Sequence, residues 1–527
     1  MRAHEAHEPA RIARNATTSY AVRGLLGLSA LLLTPYLFRR LGAEGFGTWS
    51  VVFTLATIFL LIQVGFSVGV VKFVAELQAQ RRRRELEAVV GAGVWLMALL
   101  GGVALAIAAG EAVLLDGLAA EEHREAFRLG MIAVGAGEVL RFPCSVYGAA
   151  LQGHQRYDLT NLAQGVAIVS FAAAAVTSVE LGGGVLGVAI AYAATTVLEG
   201  VLYALLLRRV DPELPLLPRA SSRSERGRIV RFSSFALLAD SMAFVGQRMD
   251  VVFIAAIRNA AAAAPFAAAV KLQSALQALI IPFISFLMPM MSDLWARGSR
   301  AEVARRLAIS TRVGLQLTLP VALGFALFAE DIVEVWLGPD APETTVAIIV
   351  VLVAVQSVWA LATPAHKMLV GIGRVRLVGL LAVVEGLLNV ALSVSLIFAY
   401  GAVGAAFGTL FSSALLGPIK LPIACRSIGA STGGLLARSV VPALVSSLPG
   451  AGAMLAVRLL LPAGGWRLAL GLGLGILLSA GVGTLQVGPR RVLSLLAAAG
   501  WRKPITPIEP VSELPSDLTA SSVRQST

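Results

Sequence analysis

FSSFALLADSMAFVGQRMDVVFIAAIRNAAAAAPFAAAVKLQSALQALIIPFISFLMPMM, residues 232–291, reads as two long apolar segments joined near Asn259. Four charged residues are embedded in them: Asp240, Arg248, Asp250 and Lys271. At the centre of a bilayer a charged side chain costs at least ~2.5–3.5 kcal/mol, so residues of this kind face water or one another rather than lipid. Arg248 precedes Asn259 by the same interval at which Lys271 follows Ala260, about three helical turns in each case. With a helical rise of ~1.5 Å per residue, both cations lie ~16 Å below the turn, at one depth on neighbouring helices. Asp250 is within a turn of that level and can partly neutralise them. Asp240 is two to three turns further from Asn259, and Ser241, Phe244 and Arg248 share a face by their spacings of three and four.

The rest of the chain has the same character. Its 527 residues are 57% hydrophobic and 14% charged, where a soluble domain carries ~25% charge. Fourteen apolar segments are long enough to span a ~30 Å hydrocarbon core as helices: about 17–38, 47–71, 88–115, 127–150, 159–180, 185–207, 230–257, 262–291, 308–331, 345–366, 377–399, 402–424, 437–461 and 466–487. Strand alternation is absent, which argues against a barrel. The expected fold is an all-α polytopic membrane protein with about 14 transmembrane helices.

The basic residues orient the bundle. With both termini placed in the cytoplasm, 31 of the 43 Lys and Arg fall on that side, 7 on the other and 5 inside helices. This is the asymmetry that directs membrane insertion, and it accounts for the net charge of +12 without nucleic acid as a partner. The stretch from Met1 to Asn15 is polar and is not expected to act as a cleavable signal peptide. Cys144 and Cys425 stand far apart in apolar surroundings, and the five histidines are scattered. No metal or redox site is expected, and no cofactor. There is no Gly-rich phosphate loop with Lys-Ser/Thr, so direct ATP use is not expected.

The two halves repeat. Val103-Ala104-Leu105 recurs as Val321-Ala322-Leu323, at an offset of 218. Leu151-Gln152-Gly153-His154-Gln155-Arg156 recurs at the same offset as Leu369-Val370-Gly371-Ile372-Gly373-Arg374. Gly184, Gly187 and Gly200 recur as Gly401, Gly404 and Gly417, at an offset of 217. Six helices per half is an even number, so the repeats are parallel, as in transporters that rock about a midplane cavity. The expected organisation is a tail at 1–16, a first lobe at 17–207, a cytoplasmic linker at 208–229, a second lobe at 230–424, a helix pair at 437–487 and a cytoplasmic tail at 488–527 with the composition of a disordered segment.

The embedded charges admit two readings. They form an internal salt-bridge set that locks the helices, or a cationic pocket for an anionic headgroup. Arg suits phosphate through its planar fork, and Lys adds a point charge. Arg23, two turns into the first helix, either snorkels to the headgroups or forms a lower rung of that path. Glu138 and Arg141 are i,i+3 neighbours that can pair. Glu199 and Glu385 are lone acids in apolar runs and weak candidates for ion coupling, as are Asp240 and Asp250. Pro282, Pro289 and Pro364 are expected to break their helices and place hinges.

Leu41-Gly42-Ala43-Glu44-Gly45-Phe46-Gly47-Thr48-Trp49, Gly153-His154-Gln155-Arg156-Tyr157, Gln247-Arg248-Met249-Asp250 and Trp336-Leu337-Gly338 resemble motifs of the polysaccharide-transport branch of the multidrug/oligosaccharidyl-lipid/polysaccharide exporter superfamily, which includes O-antigen and exopolysaccharide flippases. The resemblance covers about 15–490. It implies two lobes around a V-shaped cavity and a lipopolysaccharide-type role in the bacterial inner membrane. The implied cargo is an oligosaccharide linked to a polyprenyl pyrophosphate, moved by alternating access on an ion gradient or the membrane potential. A glycan polymerase or ligase of the same pathway is the implied partner beside the bilayer. In related lipid II flippases, cationic residues of the first and eighth helices line the cavity; Arg23 and Lys271 match by segment, without a shared motif. Arg248 and Lys271, helped by Arg23, are then the pyrophosphate ligands of a non-enzymatic transporter. A cation or drug antiporter of the related multidrug branch would need a net negative pocket. A membrane polymerase or ligase would need a large external loop, and the loops here are short. A scaffold for polysaccharide assembly is a further alternative.

Overall fold

The computed structural model describes residues 2–215 and 248–487; Asp240 and most of the predicted 230–257 segment lie outside them. Sixteen α-helices account for nearly all of the described chain. The first half contains α1 (Arg2–Ala79), α2 (Arg83–Leu114), α3 (Arg124–Gly153), α4 (Tyr157–Glu180) and α5 (Gly184–Val210). The second contains α6 (Asp250–Ile257), α7 (Ala260–Ser285), α8 (Leu287–Ala296), α9 (Arg300–Leu327), α10 (Ala329–Trp336), α11 (Thr344–Gly371), α12 (Val375–Tyr400), α13 (Ala402–Leu416) and α14 (Lys420–Ile428). A final pair, α15 (Thr432–Leu460) and α16 (Gly465–Val487), closes the described chain. Eleven stretches among the described residues are long and apolar enough to cross a membrane. This is a multi-pass membrane protein.

Most of the seventh predicted segment lies outside the described residues, and local features account for other differences from the expected fourteen. The first two predicted segments run as one helix, α1, interrupted at Gly42, whose φ of 69° and ψ of 177° suit a residue without a Cβ. The chain reverses there. Asn15 of the first arm donates to the Gln155 carbonyl at 3.0 Å, while Val74 of the second arm abuts neighbouring Gly153. The predicted eighth segment divides at Phe286 into α7 and α8. Pro289 cannot donate to the Ser285 carbonyl, which accounts for a break at this point. Pro364, by contrast, does not break its helix: α11 runs through it. Thr363 Oγ1 donates to the Trp359 carbonyl at 2.7 Å, so the hydroxyl supports the ladder beside the bond that the proline removes.

The internal repeat reappears in the backbone. Residues of positive φ mark corresponding helix boundaries: Arg81 and Gly298 are 217 apart, Gln155 and Gly373 218 apart, Gly184 and Gly401 217 apart. The first two pairs close the same six-residue loop, with Arg82 N on Leu77 O and Ser299 N on Leu294 O, then Arg156 N on Leu151 O and Arg374 N on Leu369 O. Arg40 holds Glu180 at the end of α4. Arg258, its counterpart in the second half, holds the Ile397 carbonyl at the end of α12. Helix partners repeat as well: α2–α3, α3–α5 and α4–α5 correspond to α9–α11, α11–α13 and α12–α13. The α15–α16 pair packs on α9, pinned by a bidentate ion pair from Arg467 to buried Asp331 at 2.7 Å.

The halves meet at the end of the bundle that carries the Gly42 and Asn259 turns. The second arm of α1 lies along α7 so closely that a Cβ on Gly47 would come within 1.9 Å of the Ala260 carbonyl oxygen. Arg39 donates to the carbonyls of Val335, Trp336 and Leu337 at 3.0–3.2 Å, and Trp336 Nε1 donates to the Leu31 carbonyl at 2.7 Å. Among the described residues, the hydrogen bonds between the halves all lie at this end.

Candidate functional site

Lys271 projects from α7 onto the first half, where its Nζ sits 4.1 Å from the centroid of the Phe53 ring. No carboxylate among the described residues is within ion-pair distance of it. Phe53 belongs to a cluster drawn from three helices. Trp49 and Phe53 stand one turn apart on α1, at 5.8 Å between centroids. Tyr192 of α5 meets Phe53 edge-on at 5.7 Å, and Phe171 of α4 meets Tyr192 at 5.9 Å. The charge of Arg248 lies within electrostatic reach of Lys271. Arg248 itself is exposed.

Asp250 goes elsewhere. It is buried, and its Oδ2 accepts from Thr409 Oγ1 of α13 at 3.1 Å instead of neutralising either cation. Thr409 also accepts from Asn389 of α12 at 3.1 Å, and Asn389 reaches Ser412 at 3.4 Å. Oδ1 of Asp250 has no hydrogen-bond partner among the described residues. The result is an oxygen-rich polar knot inside the second half, with one unanswered carboxylate oxygen.

Glu385 and Glu199 are not lone acids. Glu385 pairs with Lys420 at 2.9 Å, both side chains being largely buried. The reversal between α12 and the α13–α14 segment brings these residues, 35 apart in sequence, into register. Glu199 accepts the Tyr203 hydroxyl at 2.5 Å and lines a cavity of about 520 Å³ within the first half, together with Arg141. Arg141 in turn pairs with buried Glu138 at 3.1 Å, the i,i+3 contact expected from their spacing. Arg23 is exposed on the first arm of α1, and no hydrogen bond or ion pair joins it to another candidate among the described residues.

A second cavity, about 750 Å³ and mostly apolar, opens between the first arm of α1 and helices α7, α9, α10 and α16. Leu272 lines it, so on α7 adjacent residues face an apolar groove and an aromatic-capped cation. Arg39 and Arg40 lie at its edge.

The sequence reading omitted the aromatic cluster, the Arg39 clasp and the Asp331–Arg467 pair. Only Trp49 and Phe53, at i,i+4 on one helix, left a local signal. Phe171 and Tyr192 join them through tertiary packing, and the acid of the Asp331–Arg467 pair is 136 residues from its base.

The family described as polysaccharide biosynthesis protein matches residues 12–295. No curated protein sequence matches the chain. Among solved structures, the lipid II flippase MurJ in an inward closed conformation aligns with a TM-score of 0.70 at 12% identity, over 91% of this chain and 99% of that one. An inward-facing multidrug resistance transporter of the MATE family, within the MOP superfamily, gives 0.58 at 15% identity over 79% and 94%. A MOP superfamily transporter from Pyrococcus furiosus, described as having a binding pocket of reversed polarity, gives 0.54 at 15% identity over 80% and 95%. At these identities the likeness is one of fold.

Proposed function

The chain belongs to the polysaccharide biosynthesis protein family, and from that membership we propose that it is a flippase. It moves a polyprenyl-pyrophosphate-linked oligosaccharide across the bacterial inner membrane for cell-surface polysaccharide assembly of the O-antigen or lipopolysaccharide type. Both termini are cytoplasmic in this reading, 17–207 and 230–424 are its lobes, and a polymerase or ligase receives the product.

The observation that carries the proposal is the placement of Lys271. Among the described residues its ammonium is answered by the Phe53 ring and by no carboxylate, within electrostatic reach of Arg248, and helical rise from the Asn259 turn sets it near the membrane middle in this reading. A cation–π contact is worth ~0.5–2 kcal/mol, whereas a hydrogen bond to a charged group contributes ~1.5–3 kcal/mol. A pyrophosphate therefore draws the ammonium off Phe53, and Arg248 supplies the planar donor fork. Leu272, one residue on, opens onto the apolar groove that accommodates the isoprenoid chain. Arg23 assists at the cytoplasmic entrance.

Transport follows by alternating access. The halves are clasped at the Asn259 end by Arg39 and Trp336, so cargo enters from the His154 end, and release requires the clasp to open. Asp250 with Thr409, Ser393, Asn389 and Ser412 offers oxygen ligands for a proton or a monovalent cation, and its Oδ1, without a well-formed hydrogen bond among the described residues, makes it the coupling site of choice over the paired Glu385 and Glu199. The test is reconstitution into proteoliposomes with a fluorescent polyprenyl-pyrophosphate-linked glycan. Expected is ion-gradient-dependent exposure of the glycan to an external lectin. Vesicles that export a cationic dye but leave the glycan in place would assign the protein to drug efflux instead.

A further inference from the structure

The 520 Å³ cavity of the first half is distinct from the Lys271 site. Among the described residues its lining comes from the second arm of α1, α3, α4 and α5, with none from the second half. Its volume falls within the ~300–1,000 Å³ of small-molecule sites. It takes one or two pyranose rings and not a whole oligosaccharide.

The lining chemistry discriminates among ligands. A cation site needs free carboxylate, but Glu199 is held by Tyr203 and Glu138 by Arg141. The same pairing leaves Arg141 already answered, and Lys72, the other basic residue of the lining, is exposed with its ammonium 5.4 Å from the Phe73 ring, which together disfavour a second anion site. Three amides dominate what remains: Gln63, Gln152 and Gln164. An amide offers two donors and two acceptor lone pairs, and a sugar hydroxyl both donates and accepts. Gln63 Oε1 is buried without a hydrogen-bond partner among the described residues, and an unanswered buried acceptor costs ~1–3 kcal/mol that a ligand hydroxyl would recover. Tyr157 and Tyr203 add aromatic surface, apolar on the ring with a polar tip. The hydroxyl of Tyr203 is tied to Glu199, which orients its ring.

Tyr192 connects the two sites. Its ring packs on Phe53, which carries Lys271, and it lies within electrostatic reach of Arg141, Glu138 and Glu199. We infer that this cavity is a sugar subsite that takes a neutral, hydroxyl-rich pyranose of the lipid-linked glycan, on the far side of the aromatic cluster from the pyrophosphate. This deepens the flippase reading and rests on it.

The test uses the full chain in lipid nanodiscs and two kinds of soluble probe: farnesyl pyrophosphate, and farnesyl pyrophosphate bearing glucose or N-acetylglucosamine. The readout is the ratio of the two affinities. A sugar-bearing probe binds wild-type protein about tenfold more tightly, the gain expected from pairing buried polar groups. Gln63→Leu and Gln164→Leu, made separately so that a misfolded variant leaves the other to be read, bring that ratio toward one. Lys271→Gln weakens both probes and keeps the ratio. If neither sugar adds affinity, or if its increment survives both glutamine substitutions, the subsite is wrong while farnesyl pyrophosphate binding still supports the flippase. If no probe binds wild type, the flippase reading and the subsite fall together.

Discussion

Arg39 is the element whose loss should most clearly alter the conformational balance. Its guanidinium donates to three carbonyls at the end of α10, and opening the Asn259 end must break all three. The guanidinium regains water when it leaves, so three charge-assisted bonds yield a net of ~2 kcal/mol, within the range for bonds to charged groups. At ~1.4 kcal/mol per tenfold change, Arg39→Ala shifts the closed-to-open ratio by roughly thirtyfold. A protein that is closed ~99:1 becomes closed only ~3:1, a change visible by spectroscopy. The assay is double electron–electron resonance between spin labels at Glu122→Cys in the first half and Asp340→Cys in the second, both exposed, with Cys144 and Cys425 replaced by serine. Wild type gives a single short distance; Arg39→Ala adds a longer population of about one quarter, following the same ratio. An unchanged distribution in a folded variant would refute the clasp.

Two further outcomes test the packing and its pH response. Lys420→Met leaves Glu385 without its partner in a largely buried site. A fully buried broken pair costs ~3–5 kcal/mol, and the residual exposure here reduces the expected loss to ~2 kcal/mol in thermal unfolding. The apolar double substitution Lys420→Met with Glu385→Leu recovers most of it, and failure to recover would mean that the pair does more than answer its own charge. His154 sits at the opposite corner, between α3 and α4, with Asp211 3.6 Å away and Arg83 bound to that aspartate at 2.6 Å. Burial holds its imidazole below the usual histidine range; Asp211 opposes the effect and Arg83 adds to it. The folded state therefore binds fewer protons than the unfolded chain as pH falls below ~6.5, so stability is lost on acidification. Melting temperature measured from pH 8 to 5 should fall less for His154→Gln than for wild type; parallel curves would contradict this.

The apolar segments were legible because crossing a bilayer imposes a length and a composition that no tertiary contact can override. The repeat was legible because duplication preserves offsets, and the positive-φ pairs Arg81/Gly298, Gln155/Gly373 and Gly184/Gly401 show the geometry that those offsets preserve. The expected shared depth of Arg248 and Lys271 rests on counting residues along the helices, which needs no knowledge of neighbours. Azimuth is different. Asp250 is two residues from Arg248, yet it turns into the second half toward Thr409, 159 positions away. Glu385 looked isolated because its base is on the returning helix. Which helices touch, and which way each side chain points, depends on packing between segments of nearly uniform Ala, Leu, Val and Gly composition, where pattern carries little directional information.

The central claim is that Lys271 and Arg248 hold the pyrophosphate of the cargo. Its most direct measurement is the initial rate of glycan translocation in proteoliposomes carrying Lys271→Gln with Arg248→Gln, beside Lys271→Arg, each inserted at wild-type level. Two charged hydrogen-bonding partners are worth ~1.5–3 kcal/mol apiece, so the double variant falls at least about a hundredfold and Lys271→Arg keeps a substantial rate. A double variant that translocates the glycan as fast as wild type would show that these cations serve the helices alone.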